Sequence, residues 1–149
     1  MKIILHTDGG ARGNPGPAGA GVAIFDATDE VIQTAKKFLG KDLTNNEAEY
    51  QALIFGLQTV WELFKDKEEL KDLDLEIKLD SELVVKQLRG EYKVKEARLK
   101  VLATEVKDIV SYLKLASATF THIRREENEL ADKLANEAMD EMNGGNELA

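Results

Sequence analysis

The 149-residue chain contains no cysteine. That excludes thiol catalysis, thiolate metal sites and disulfides, and it is compatible with a reducing cytoplasm, the location expected here. Histidine is nearly absent too, with only His6 and His122. Two are too few for a multi-histidine zinc site, so any metal must be a hard ion, Mg²⁺ or Mn²⁺, on oxygen ligands. No apolar run reaches membrane-spanning length, and the N-terminus has no signal-peptide pattern. Internal repeats and low-complexity tracts are also missing. Positive charge is in deficit: 20 Lys and Arg face 28 Asp and Glu, for a net charge of −8. Alone, that balance argues against nucleic-acid binding through a broad basic face.

What is present fits one globular domain, with 43% apolar and 32% charged residues. Lys2 to Thr7 reads as a buried strand, followed by the Gly- and Pro-dense segment Asp8-Gly9-Gly10-Ala11-Arg12-Gly13-Asn14-Pro15-Gly16. Asp8 is either a turn cap or a carboxylate at a strand end that holds a cation. Gly19 to Phe25 and Val31 to Leu39 read as two more strands, so the opening is an antiparallel meander. Gly40 to Leu43 is a connection. Thr44 or Asn45 then caps a helix running to about Phe64.

Ala52, Leu53, Gly56, Leu57, Val60, Trp61 and Phe64 define that helix's buried stripe. One turn back the stripe lands on Glu49, while Glu47 falls off it and is expected in solvent. An inward carboxylate is costly unless something pairs with it. A metal and a first-turn capping interaction are both open readings for Glu49. Leu73 to Leu79 alternates as a half-buried strand and ends at Asp80-Ser81, before a short helix to Leu88. Lys95 to Leu113 reads as a helix, Ala116 to His122 as the last strand, and a final helix starts near Asn128. Asp132 borders that helix's inner stripe. Asn143-Gly144-Gly145 is expected to stop it, giving a domain over 1–142 and a frayed tail over 143–149. Four carboxylates thus stand where they could converge. Four such acids repel one another unless divalent cations sit among them.

Together, Thr7-Asp8-Gly9-Gly10 with Asn14-Pro15-Gly16, Thr44-Asn45-Asn46-Glu47-Ala48-Glu49, Asp80-Ser81, and His122 ten residues before Asp132 resemble type 1 ribonuclease H. The likeness spans roughly Met1 to Asp140. It implies an α/β fold with a mixed five-stranded sheet, its first three strands antiparallel, flanked by helices. The implied activity is endonucleolytic cleavage of the RNA strand of an RNA–DNA hybrid, leaving 3′-hydroxyl and 5′-phosphate ends. The resemblance assigns Asp8, Glu49, Asp80 and Asp132 as ligands of two Mg²⁺ ions, with Mn²⁺ an acceptable substitute. Gly9, Asn14, Thr44, Asn45 and Asn46 become candidate substrate contacts. The glycines would let the hybrid backbone approach, and the amides would read the minor groove and its 2′-hydroxyls.

His122 has two readings. Relatives use a His in a flexible loop for proton transfer or product release. Here Ile123 to Glu127 contains no Gly, which favours a rigid strand end with a structural role. The chain also departs from many relatives in lacking a basic insertion, since Glu91 to Lys100 runs directly into the next helix. Some relatives carry a separate N-terminal hybrid-binding domain; a short form that starts at the first strand is expected here. Weak, salt-sensitive substrate binding follows, with Lys86, Arg89, Lys93, Lys95 and Arg98 the best basic cluster. A monomer with no obligatory protein partner is expected. The rival readings are a catalytically silent hybrid- or RNA-binding module, and another metal-dependent nuclease of the same fold. All four acids are present, which counts against the silent module.

Overall fold

The computed structural model describes residues 1–66 and 70–148, with side chains through 142. Its sheet has five strands: β1 (Lys2–Ala11), β2 (Gly16–Asp26), β3 (Val31–Leu43), β4 (Asp74–Leu79) and β5 (Ser117–His122). They lie in the order β3-β2-β1-β4-β5. The first three are antiparallel, and β4 pairs in parallel with both β1 and β5. Among the described residues, four α-helices flank the sheet: α1 (Asn45–Phe64), α2 (Glu82–Leu88), α3 (Ala97–Leu113) and α4 (Glu129–Leu148). No helix among the described residues is long and apolar enough to cross a membrane.

The main core forms where α1 and α3 cover one side of the sheet, around Leu5, Ile24, Leu53, Leu57, Ile77, Leu99 and Val106. The stripe read from α1 is buried as expected at Ala52, Leu53, Gly56, Leu57, Val60 and Phe64. Burying a Leu- or Val-sized side chain contributes about 1.5–3 kcal/mol, so this stripe anchors the helix.

The ends of the elements differ from their sequence reading. The glycine-rich opening is not all turn. Gly9, Gly10 and Ala11 continue β1, pairing with Ala20, Gly19 and Ala18. Small residues on both strands leave the backbones free to pair. Likewise Gly40 to Leu43 belongs to β3, an edge strand that is largely exposed and carries Lys36, Lys37 and Lys41. Exposed lysines on an edge discourage pairing with another chain. The backbone of α4 stays helical through Asn143-Gly144-Gly145, where a stop is expected from sequence. The side chains of the expected tail, 143–149, lie outside the described residues.

Two missing side chains set how the helices sit. A Cβ at Gly21 would collide with the Ala131 carbonyl, so α4 rests directly on β2. A Cβ at Gly9 would collide with the Ala48 carbonyl, so the start of α1 lies against β1. Neighbouring residues on a strand point to opposite faces, so Asp8 points away from α1. It is paired with Gly21, which brings it to the face that α4 covers.

Candidate active site

β1 outruns its parallel neighbour. Its pairing with β4 ends at His6 and Lys78, while the antiparallel ladder to β2 continues through Asp8 to Ala11. This leaves a notch beside Asp8. Asp80 enters it directly after β4 ends, held by the turn in which the Ser81 side chain caps α2 by accepting from the Val84 N–H. Glu49 enters from α1, its Oε1 accepting the Gly9 N–H at 3.3 Å. One carboxylate oxygen from each of Asp8, Glu49 and Asp80 lies within 4.8 Å of the others. From the far side, α4 adds Asp132, next to the Ala131 that rests on Gly21. Asp132 comes within hydrogen-bonding reach of Asp8. The four acids read from the sequence therefore meet in one cleft of about 460 Å³.

Their electrostatics are those of a site built for cations. Asp8 is 7% exposed and Glu49 8%. Burial first, then the neighbouring Asp80 and Asp132, push the Asp8 carboxyl up from 3.8 to about 8. Burial, then Asp8 and Asp80, drive Glu49 well above the usual carboxylate range. Glu49 Oε2 is buried without a hydrogen-bond partner. A divalent ion on oxygen ligands would satisfy that orphan atom and relieve the repulsion, so the residues present fit Mg²⁺ or Mn²⁺.

The capping ambiguity at the start of α1 resolves by a division of labour. Thr44 is the N-cap, accepting from the Glu47 N–H, and Glu47 returns the bond by accepting from the Thr44 N–H. Helical phase alone places Glu47 in solvent. Its side chain is only 13% exposed because this capping box folds it back over the helix start. Glu49 is thereby free of capping duty.

Asn14 and Asn45 interlock. Asn14 Oδ1 accepts the Asn45 N–H at 2.9 Å, and Asn45 Oδ1 accepts the Ala11 N–H at 3.0 Å. This ties the loop after β1 to α1. Both residues are exposed, and with their amide oxygens engaged their amide NH₂ groups remain as donors. Gly9 has a structural duty of its own, the close approach of α1. Asn46 lies on the rim of a second trough of about 580 Å³, with Tyr92, Lys93 and Lys95. Of the basic cluster, Lys86 pairs with Glu82 at 2.8 Å and Arg89 donates to the Phe120 carbonyl at 2.8 Å. Arg98 lies 3.9 Å from Glu47.

His122 is the last residue of β5, paired with Leu79, and is exposed. The segment after it is a 3-10 turn over Arg125–Glu127 rather than a free loop. Arg125, not His122, lines the acidic cleft, 3.7 Å from Asp132.

Sequence reasoning passes over several supports. Asn128 is fully buried, and its Nδ2 donates to the Thr7 carbonyl at 2.9 Å. Its own carbonyl accepts the Asp132 N–H at 3.1 Å. One residue thus fixes both the backbone just ahead of Asp8 and the turn that carries Asp132. A signal existed, because Asn128 is in helical phase with the inner residues Ala131 and Ala135. Arg12 and Asn136 also line the cleft, and no local pattern marks them.

Comparisons with known proteins agree with this geometry. A family model described as reverse transcriptase-like matches residues 6–138. A ribonuclease H of Hydrogenovibrio crunogenus is 33% identical over 159 residues, covering 97% of this chain and 99% of the relative. A bifunctional protein of Mycobacterium tuberculosis is 38% identical over 141 residues, covering 94% of this chain. The chain spans only 36% of that mycobacterial protein's length. Among solved structures, LC11-RNase H1, isolated from compost, superposes with a TM-score of 0.86 at 44% identity, covering 95% of this chain and 97% of that one. The same protein solved in complex with an RNA/DNA hybrid gives a TM-score of 0.85. A mixed sheet in the order β3-β2-β1-β4-β5, an acid cluster in the notch beside β1 and these relatives together place the chain in the type 1 ribonuclease H family.

Proposed function

We propose that this chain hydrolyses the RNA strand of RNA–DNA hybrids as an endonuclease, with two divalent ions held by Asp8, Glu49, Asp80 and Asp132. The observation that carries the reading is the meeting of three acids within 4.8 Å, one of them with a buried oxygen that nothing satisfies. Two ions there would supply charge stabilisation at a transferring phosphoryl group and a nucleophilic water, giving 3′-hydroxyl and 5′-phosphate ends. The protein's own part is to hold the acids. Glu49 is steered by the Gly9 N–H, and Asp8 and Asp132 are locked together through Asn128.

Recognition follows from the cleft's surroundings. The exposed amides of Asn14 and Asn45 offer donors toward a minor groove, where 2′-hydroxyls mark the RNA strand. Thr44 keeps a hydroxyl donor for a phosphate while its oxygen caps α1. Lys93 and Lys95, beside Asn46, are the cations we assign to the hybrid backbone. The solved complex of LC11-RNase H1 with an RNA/DNA hybrid supports this substrate class.

The test is digestion of a labelled hybrid with Mg²⁺, alongside duplex DNA, duplex RNA and single strands, with analysis of the product ends. Cleavage of the RNA strand of the hybrid is expected. Failure to cut it with either Mg²⁺ or Mn²⁺ would leave the silent-module reading in place.

A further inference from the structure

The cleft continues past the acids, between the end of β1 and α4, where Arg12, Ala135, Asn136 and Met139 line it. A chain of polar contacts there ends on one of the acids. Arg12 reaches Asp140 Oδ1 at 2.6 Å with one guanidinium nitrogen, and with the other donates to Asn136 Oδ1 at 3.3 Å. Asn136 donates its Nδ2 to the Asp132 carbonyl at 3.0 Å and toward Asp132 Oδ1 at 3.5 Å. A guanidinium has donors only, so it fixes which way round the Asn136 amide sits: oxygen toward Arg12, nitrogen toward Asp132. Arg125 lies 3.7 Å from the same Oδ1. The Asn136 amide and the Arg125 guanidinium thus approach the same oxygen of Asp132.

We propose that Asn136, oriented by Arg12, is a positioning residue that sets the Asp132 carboxylate for its divalent ion. The proposal rests on the metal-site reading above. Groups that hydrogen-bond a metal ligand commonly govern metal affinity or activity by about 10- to 100-fold. A long, partly exposed contact belongs at or below the lower end of that range, about 3- to 10-fold.

The test is calorimetric titration of Mn²⁺ into the metal-free full chain, with no substrate present. It compares wild type with Asn136→Ala, Arg12→Ala, the double variant and Lys36→Ala, each also melted in chelator. Lys36 braces the same helix through Glu137 and Glu141 and serves as the structural control. The Mn²⁺ Kd is expected to rise about 3- to 10-fold in each single variant of the pair and no further in the double. Lys36→Ala should bind like wild type. Equal Mn²⁺ binding by wild type and Asn136→Ala overturns the proposal, as does full additivity in the double variant or an equal loss in Lys36→Ala. If Asn136→Ala does not fold, Arg12→Ala carries the same expectation and the same refutation. Asp8→Asn runs alongside. If it binds Mn²⁺ as wild type does, the metal-site reading itself fails, an outcome distinct from failure of the Asn136 proposal alone.

Discussion

Replacing Asp8 by Asn should make the metal-free protein more stable while abolishing its chemistry. Asp8 is buried beside Asp80, Glu49 and Asp132, and its carboxyl is pushed up from 3.8 to about 8. A carboxyl whose folded-state value is raised contributes stability that is fully present below pH ~4 and is lost as pH climbs through ~8. At pH 7 the folded state must keep this group protonated, whereas the unfolded chain lets it ionise. Across the roughly three pH units between 3.8 and 7, at 1.36 kcal/mol per unit, that costs about 4 kcal/mol. Asn carries no such cost. Even half of that figure corresponds to a Tm gain of about 6 °C for a domain of this size. The assay is thermal unfolding of both proteins in chelator at pH 7 and pH 4.5, then at pH 7 with Mg²⁺. The gain should shrink to about 1 kcal/mol at pH 4.5. It should also narrow with Mg²⁺, which binds the folded wild type more tightly than the variant. The reasoning is refuted if Asn brings no gain at pH 7 in chelator. A gain of equal size at both pH values would also sink it, because ionisation would then not be its source.

Four further outcomes are expected. Gly9→Ala forces the Ala48 carbonyl away from β1 and should cost about 1–3 kcal/mol, read by denaturant unfolding, with lowered hybrid cleavage because Glu49 moves too. Thr44→Ala removes the cap of α1 and should cost about 1 kcal/mol; unchanged stability would show that the capping box contributes nothing. His122→Ala should lower kcat by less than about tenfold, since this exposed side chain stands off the acidic cleft, and a larger loss would restore it as a proton carrier. With a net charge of −8, hybrid binding should weaken steeply with salt, and a KM that stays flat from 50 to about 200 mM salt would contradict phosphate-dominated binding.

Much of the site was legible in the chain because periodicity is a local property. Helical phase put Glu49 inward from Ala52 and Leu53, and Asp132 at the border of Ala131 and Ala135. Alternation placed Asp80 directly after a strand. The absence of cysteine and the shortage of histidine left oxygen ligands as the available choice. The placements of Glu49, Asp80 and Asp132 hold in the structure. What local pattern could not supply was pairing. That Gly9 to Ala11 are strand depends on Gly19 and its neighbours lying opposite them, on a different segment. That Glu47 folds into a capping box depends on Thr44 being the cap rather than Asn45. The meeting of Asp8 with Asp132 depends on Gly21 leaving room for α4 at the register position of Asp8. Helical phase marks Asn128 as inward but not its partner 121 residues away, and Arg12 and Asn136 meet across 124 residues, a support that only a folded neighbour reveals. The sequence by itself determined which carboxylates lie on inward faces, because side-chain direction repeats every two or 3.6 residues. Only the tertiary structure decided that they face one another, because a cluster of like charges, two of them buried, is assembled by packing, and the close approaches at Gly9 and Gly21 that bring it together involve residues with no charge at all.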